Sequence, residues 1–178
     1  SVMVAALTCQ PKSAHGDQGS STDHGPDDRG PVAEVRPHAG IGWASGYGGA
    51  GDGLAFHAGG RLLFPAPLSP TLGARFGIEA TYLDLDVRKG RGIRERYTAL
   101  GIILEMRLFR NFLLGIGTLG YVGVGSTDRN PFGVVTNLGW EPSWHSRALP
   151  FVTFRSEWIF DGVVFNVLSL SAGITFGI

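Results

Sequence analysis

The chain has 178 residues, enough for one domain with its own core, and contains 15 Lys or Arg, 15 Asp or Glu, 28 Gly and one Cys. The zero net charge excludes the overall basic excess expected of a nucleic-acid binder, so we expect no nucleic-acid partner. A single Cys excludes an intramolecular disulfide framework and a zinc site built from several cysteines.

The N-terminal segment begins with a short apolar run from Val2 to Leu7 that ends in small residues. We interpret residues 1–14 as the remnant of a secretory signal peptide, with an ordinary apolar segment as the alternative. Cys9 follows Thr8, where bacterial lipidation sites normally have Gly, Ala or Ser, so we do not expect lipidation. Residues 15–37 are rich in Gly, Pro, Ser and Asp and carry too little apolar surface to offset their ordering entropy, which predicts a flexible linker.

Residues 38–178 repeat one signal, an alternation of apolar with small or polar residues at a period of two. In the last segment, apolar residues at 168, 170, 172, 174, 176 and 178 alternate with Ser, Thr and Gly. Turn-like sequence separates eight such segments, at residues 48–53, 65–70, 86–92, 110–111, 126–131, 142–148 and 161–162. We therefore predict an all-β fold of eight antiparallel strands in up-and-down order.

The two faces of these segments differ from those of a water-soluble barrel. The polar face has few Lys and is mostly Gly, Ser, Thr and Ala with some Arg and Glu, which suits the crowded interior of a narrow barrel. The apolar face carries bulky side chains on nearly every segment, as in a transmembrane barrel whose apolar residues face lipid. We therefore predict a transmembrane β-barrel, with a soluble lipocalin-like or avidin-like barrel as the alternative.

Aromatic residues of the apolar face support the membrane interpretation. If both termini lie on one side, these residues fall near the two rims, where transmembrane barrels have aromatic girdles. One predicted girdle contains Tyr47, Phe56, Tyr82, Phe132, Trp158 and Phe160, and the other contains Phe64, Phe112, Trp140 and Phe176.

The region from Ala39 to Ile178 resembles the small eight-stranded outer-membrane barrels typified by the OmpA-like and OmpX-like proteins. The resemblance rests on strand count, alternation and the terminal segment 169–178, which is similar to the C-terminal assembly signal of such barrels. That signal usually ends in Phe, whereas this chain ends in Ile178 with Phe176 two residues earlier. The resemblance implies a bacterial outer-membrane location, periplasmic termini and insertion by the barrel-assembly machinery. It does not imply one activity, because the group includes anchors, adhesins, narrow channels and lipid-modifying enzymes.

Charged residues of the polar face form the first candidate site. Because the interior of an eight-stranded barrel is just wide enough for its side chains, these charges must be paired. We interpret them as a salt-bridged plug, with a narrow OmpW-like path for ions or small solutes as the alternative. The predicted lumen residues are His57, Arg61, Arg75, Glu79, Glu105, Arg107, Arg155 and Glu157.

A lipid A-modifying enzyme is a further alternative, since such a barrel needs a nucleophile and a His that is oriented by an acid. His57 and Glu157 lie at similar height on the inward face, but we find no inward Ser beside them. His145 and Ser146 fall in a predicted periplasmic turn, away from outer-leaflet lipid. No nucleotide-binding motif is present, so we predict a protein that is not an enzyme and uses neither a cofactor nor a metal.

A basic cluster forms the second candidate site, in the predicted connection between the third and fourth strands. Arginine side chains suit phosphate groups, and lipopolysaccharide phosphates would lie at this level of the membrane. A solvated loop tip is the alternative. The cluster contains Arg88, Lys89, Arg91, Arg94 and Arg96, with Glu95 alone opposing. We therefore expect a structural or interaction role, through binding of lipopolysaccharide or a partner protein, or through membrane anchoring.

Overall fold

The computed structural model describes residues 32–47, 51–66, 73–87, 93–109, 111–125, 129–143 and 146–178. The strands are β1 (Glu34–Gly46), β2 (Gly51–Pro65), β3 (Arg75–Val87), β4 (Ile93–Leu108), β5 (Phe112–Gly123), β6 (Phe132–Trp140), β7 (Ala148–Asp161) and β8 (Val163–Gly177). Each strand pairs with its chain neighbours in antiparallel orientation, and pairing of β1 with β8 closes the sheet. The predicted eight-stranded up-and-down barrel is therefore confirmed. Among the described residues, no helix combines the length and hydrophobicity needed to cross a membrane.

The barrel begins earlier than the sequence analysis placed it. β1 starts at Glu34, whereas residues up to Pro37 were assigned to the linker. The segment was assigned to the linker because it carries little apolar surface, but the side chains of Glu34 and Arg36 are buried inside the barrel, where ion pairs compensate their charges. The predicted signal-peptide remnant, with Cys9, and the linker up to residue 31 lie outside the described residues.

The strand register shows how the barrel closes. The register can be followed around the barrel by moving from Glu34 to its paired residue on β2, from there to the paired residue on β3, and so on. After all eight strands this path returns to β1 at Ala44, ten residues further along. Strands with such an offset are strongly tilted, and eight of them enclose a space that side chains can fill. The path runs through the inward-facing positions Glu34, Leu63, Gly77, Ile103, Gly117, Val135, Glu157, Val167 and Ala44.

The two ends of the barrel are distinct. At one end, here called the terminus end, Ala33 and Ile178 exchange backbone hydrogen bonds of 3.1 and 2.9 Å. The opposite end, here called the distal end, holds the β1–β2, β3–β4, β5–β6 and β7–β8 connections. The last connection is the predicted tight turn, in which Gly162 has a φ of +66° that favours glycine.

Large apolar side chains cover the outside of the barrel, and aromatic rings gather near both ends. Near the distal end, Tyr47 stacks on Trp158 and Phe132 on Phe160, with ring centroids 5.9 and 6.4 Å apart. An apolar belt of this extent is the lipid-facing surface of a transmembrane barrel and does not fit the soluble alternative. The exposed aromatic residues are Trp43, Tyr47, Phe56, Tyr82, Phe132, Trp158 and Phe160 towards the distal end, Phe64, Phe76, Phe109, Phe112, Trp140 and Phe176 towards the terminus end, and Phe154 midway along β7.

Candidate functional site

The eight residues predicted to face the lumen all point into the barrel. Arg75 and Arg107 lie near the terminus end and are partly buried, with side-chain exposures of 19% and 22%. The other six are buried: His57, Arg61, Glu79, Glu105, Arg155 and Glu157. The barrel thus brings residues of β2, β3, β4 and β7 together in one interior.

Glu79 lies at the centre of the resulting ion-pair network. Arg61 Nε donates to Glu79 Oε2 at 2.9 Å, and Arg155 Nη1 donates to Glu79 Oε1 at 2.5 Å. The Thr81 hydroxyl adds a third hydrogen bond of 3.0 Å. Because Glu79 is fully buried, these partners replace the water that a carboxylate would otherwise bind.

The network extends to residues of β1 that the sequence analysis missed. Arg36 is fully buried, and it donates to Glu34 at 2.7 Å and to Glu105. Arg75 Nη2 lies 2.7 Å from the other carboxylate oxygen of Glu34. The signal was present in the sequence, because the alternation of β1 continues from His38 back to Glu34.

Glu141 is another missed member of the network. It is fully buried just beyond β6, and it accepts hydrogen bonds from Arg107 and, at 2.5 Å, from the Thr175 hydroxyl. The alternation of β6 continues past Trp140 to Glu141 and puts it on the inward face, but the predicted lumen charges did not include it. Arg61 completes the network with hydrogen bonds of 3.4 Å to Glu105 and 3.2 Å to the side-chain oxygen of Asn137.

These charges fill the half of the lumen nearest the terminus end, here called the charged half. It contains five arginines and five glutamates, so its formal charge is zero when the histidines are neutral. The members are Arg36, Arg61, Arg75, Arg107, Arg155, Glu34, Glu79, Glu105, Glu141 and Glu157. Because the charges are balanced and paired, the charged half has no net charge that would favour ions of one sign over the other.

The other half of the lumen is mostly apolar, with Glu95 and Asp161 beside the Tyr97 hydroxyl, and the sequence analysis did not foresee it. Near the distal end, small residues of β1 and β2 face bulky residues of the remaining strands, so the side chains interlock within the narrow barrel. This apolar half consists of Ala44, Ala55, Leu83, Leu85, Tyr97, Ala99, Leu119, Tyr121, Val135, Ile159, Phe165 and Val167. The predicted polar plug therefore accounts for the charged half only.

Tyr121 lies where the two halves meet. Its ring packs edge-on against Tyr97 in the apolar half, with ring centroids 6.0 Å apart. Its hydroxyl donates to Glu157, which also accepts a hydrogen bond of 2.7 Å from Arg155 Nε. One side chain thus satisfies a carboxylate of the charged half while its ring closes the apolar half.

His57 has a serine neighbour, contrary to the sequence analysis. Ser171 Oγ lies 3.0 Å from His57 Nε2, and both residues are buried. Gly40 makes this contact possible, because a Cβ at that position would lie 2.3 Å from the same nitrogen. However, His57 Nδ1 has no hydrogen-bond partner among the described residues, so no acid orients the ring as a catalytic triad requires. Glu157 does not take that place.

The remaining candidate for nucleophilic chemistry lies at the terminus end. His145 is outside the described residues, and the Ser146 hydroxyl accepts a hydrogen bond of 3.3 Å from the Ala148 backbone N–H. The part of the chain that the structure describes contains no group of three or more His, Cys, Asp or Glu residues suited to a metal ion.

The structure describes only two of the five residues of the predicted basic cluster. Arg88, Lys89 and Arg91 lie outside the described residues, while Arg94 and Arg96 belong to β4 and not to the connection before it. Both arginines point outward at the distal end. Their position in the strand follows from the β3–β4 pairing, which continues to Val87 and Ile93.

The acids that oppose these arginines are Asp84 and Asp86 of β3, which pair with Arg96 and Arg94 in the strand register, and not Glu95. Asp84 accepts hydrogen bonds of 2.8 Å from Arg94 Nε and 2.5 Å from Arg94 Nη2, and Arg96 Nε lies 3.7 Å away. Glu95 points towards the lumen, where it accepts a hydrogen bond of 2.7 Å from the Tyr97 hydroxyl. The Asp84 side chain is 12% exposed beneath arginines that are 58% and 46% exposed, so the cationic groups face outward.

Solved structures with a similar fold include Neisserial surface protein A, with a TM-score of 0.57 and 14% identity over 85% of this chain and 100% of that one. A de novo designed transmembrane β-barrel has a TM-score of 0.45 and 8% identity over 84% and 98% of the two chains. Ail, the attachment invasion locus protein of Yersinia pestis, has a TM-score of 0.43 and 13% identity over 83% and 99%. No protein-family model and no curated protein sequence matches the chain significantly. The likeness to the Neisserial protein confirms, for the fold, the predicted resemblance to small eight-stranded outer-membrane barrels.

Proposed function

We propose that this chain is a closed, non-enzymatic barrel of the bacterial outer membrane that acts by binding at its surface and not by transport. The main observation behind this proposal is that side chains fill the lumen in two consecutive layers, the charged half and the apolar half. Ion pairs around Glu79 occupy the charged half, and the cluster around Leu119 occupies the apolar half. A permeating ion would have to displace both layers. This supports a structural or interaction role over the OmpW-like channel.

Conductance in planar bilayers tests this proposal. The purified barrel should give no current steps, while a porin reconstituted in the same way gives them. Discrete steps whose ion selectivity changes with Glu105→Gln or Arg155→Gln would show that the charged half conducts, and they would overturn the proposal in favour of the channel.

The proposed location is supported by the exterior of the barrel. The two aromatic girdles and the apolar surface between them suit a bilayer. The start of β1 and the C-terminal residue lie at one end, which suits insertion by the barrel-assembly machinery from the periplasm, and segment 169–178 is the expected assembly signal. Membrane fractionation and comparison of cold with boiled samples on an SDS gel test this. We expect an outer-membrane protein with heat-dependent migration, and a soluble protein without that shift would contradict it.

The enzyme alternative has its own test, because Ser171 lies beside His57. Mass spectrometry of lipid A should give the same masses with and without expression of the chain. A mass change that disappears with both Ser171→Ala and His57→Ala would establish an enzyme. The lack of an acid at His57 Nδ1 supports the expected negative result.

A further inference from the structure

The outer wall of β4 and β5 carries an arginine rim at the distal end. We use this name for Arg94 and Arg96 together with Asp84, which lies behind them. The carboxylate engages Nε and Nη2 of Arg94 and holds the guanidinium groups at the membrane boundary. Asp86 of β3 pairs with Arg94 in the strand register, so two aspartates balance the formal charge of the two arginines. The guanidinium groups are nevertheless far more exposed than Asp84, so they are the groups that the rim offers to a phosphate approaching from the lipid.

A notch in the lipid-facing surface lies below the rim, at Gly120 of β5. Gly120 pairs with Leu100 of β4 and points outward. A Cβ at Gly120 would meet only the Leu100 carbonyl oxygen, at 3.8 Å, whereas at the inward Gly101 it would lie 1.8 Å from the backbone oxygen of Thr118. Crowding therefore explains Gly101 but not Gly120. A strand glycine without this constraint often marks the close approach of another molecule.

An apolar groove lies nearer the middle of the wall, and its lining begins two residues from Gly120 on β5, at Thr118. Its volume is about 570 Å³, within the range of small-ligand sites. Its lining residues include Phe76, Ile102, Leu104, Ile116, Thr118 and Val134. The groove opens on the lipid side, since the side chains at 76, 102 and 116 are among the exposed apolar residues of the belt.

The distance from the rim to the groove is close to the depth of one membrane leaflet. Arg96 and Ile102 are six residues apart on β4, which corresponds to about 20 Å along the strand. At a strand tilt of about 40°, this becomes about 15 Å along the barrel axis. The apolar band of an outer-membrane barrel is about 25 Å tall, so half of it is about 12 Å. A molecule with its phosphate at the rim would therefore end its acyl chain in the groove.

We propose that this wall binds one phosphorylated acyl lipid, the lipid A part of lipopolysaccharide. A lipid A phosphate contacts Arg94 and Arg96, and one acyl chain passes over Gly120 into the groove. The inference rests on the proposed function, because it requires the distal end to face the outer leaflet. It adds the ligand class and the side of the barrel on which the ligand lies.

Native mass spectrometry of the full chain in detergent, titrated with diphosphoryl lipid A, tests the phosphate contact. We expect one bound lipid, and about tenfold weaker binding for the double variant Arg94→Gln, Arg96→Gln, because charge-assisted hydrogen bonds are lost. The control is Arg129→Gln, since Arg129 is equally exposed but its guanidinium group pairs with Asp161 of β7 and not with Asp84 of the rim. An equal loss in the control would overturn the proposal, as would equal affinity for dephosphorylated lipid A.

A second pair of variants tests the acyl chain. Gly120→Leu fills the notch and should weaken lipid A binding about tenfold, because the leucine side chain would take the place of the acyl chain there. Gly60→Leu is the matched control, because a Cβ at Gly60 of β2 would also meet nothing closer than 3.9 Å and β2 carries no arginine rim. Unchanged binding with Gly120→Leu would overturn the groove assignment. Heat-dependent gel migration of each variant verifies the barrel.

The two proposals fail separately in these experiments. A barrel that binds no lipid A and remains silent in planar bilayers would overturn the lipid site alone. Conductance by a barrel that binds lipid A at the rim would overturn the closed-barrel function and leave the lipid site in place.

Discussion

The two halves of the lumen fill the same narrow space with opposite chemistry. In the charged half, the guanidinium groups of Arg61 and Arg155 converge on the Glu79 carboxylate. In the apolar half, side chains such as Leu119 and Ile159 are equally buried but form no ion pairs among the described contacts. Both halves are filled by side chains, because the interior of a closed eight-stranded barrel is only wide enough to hold them.

The difference between the halves lies in how they respond to substitution. Each buried charge depends on a specific partner, and removal of that partner leaves an uncompensated charge. A buried leucine loses only transfer and packing energy when it is shortened, and its neighbours relax partly into the space. We therefore expect the charged half to be sensitive to the chemistry of a substitution and the apolar half to its volume.

The largest expected effect belongs to the charged half. Glu79→Gln keeps the shape of the side chain but removes the negative charge between Arg61 and Arg155. The variant should lose about 3 kcal/mol or more of unfolding free energy, the usual cost of breaking a buried ion pair. Urea unfolding of the barrel refolded in lipid vesicles measures this loss.

Asp52→Asn is the matched control for that substitution. Asp52 is an exposed, outward-facing acid of β2, so the same change from acid to amide should cost less than about 1 kcal/mol. Equal losses for Glu79→Gln and Asp52→Asn would mean that the charged half does not depend on its pairing.

An intermediate effect is expected in the apolar half. Leu119→Ala removes buried methyl groups and should cost about 2–3 kcal/mol, measured by the same unfolding experiment. Leu100→Ala is the control, because Leu100 faces lipid and lipid chains can fill the space that it leaves. If Leu100→Ala destabilised the barrel as much as Leu119→Ala, the distal lumen would not be a packed core.

Most of the strand positions could be predicted because a strand alternates strictly between its two faces. Outward residues such as Phe56, Leu100 and Leu170 were assigned correctly by this period alone. The same period identified the inward charges, including Glu79 and Arg155. Alternation determines which face a residue occupies, and the strong contrast between the faces makes it easy to detect in a membrane barrel.

The partners within the lumen could not be predicted, because they depend on register. Ser171 reaches His57 only because both lie opposite Gly40, a relation set by the pairing of β1 with β8 and β2. Asp84 likewise meets Arg96 through the β3–β4 register. A single sequence contains turn signals but no direct record of how far one strand is shifted against the next.

The apolar half was missed for a different reason. Leu83 and Leu85 lie inward beyond Tyr82, so the polar face of β3 becomes apolar partway along the strand. The lumen of a barrel can be filled by ion-paired side chains or by packed apolar side chains. In both cases every second residue of a strand points inward, so the alternation alone does not distinguish them. Small residues at Ala44 and Ala55 on the opposite wall were the available clue to the bulky side chains across from them.

The boundary residue Tyr121 gives the finest test of the comparison, because Tyr121→Phe alters one half and leaves the other intact. The phenyl ring keeps its edge contact with Tyr97, while Glu157 loses the hydroxyl donor and retains Arg155. The expected loss is about 1–2 kcal/mol, the cost of a hydrogen bond to a buried charged group that keeps another partner. Urea unfolding in vesicles measures it, and Tyr82→Phe on the lipid-facing wall is the control. A loss as large as that of Glu79→Gln would show that the halves form one cooperative network, whereas no loss would show that Arg155 alone satisfies Glu157.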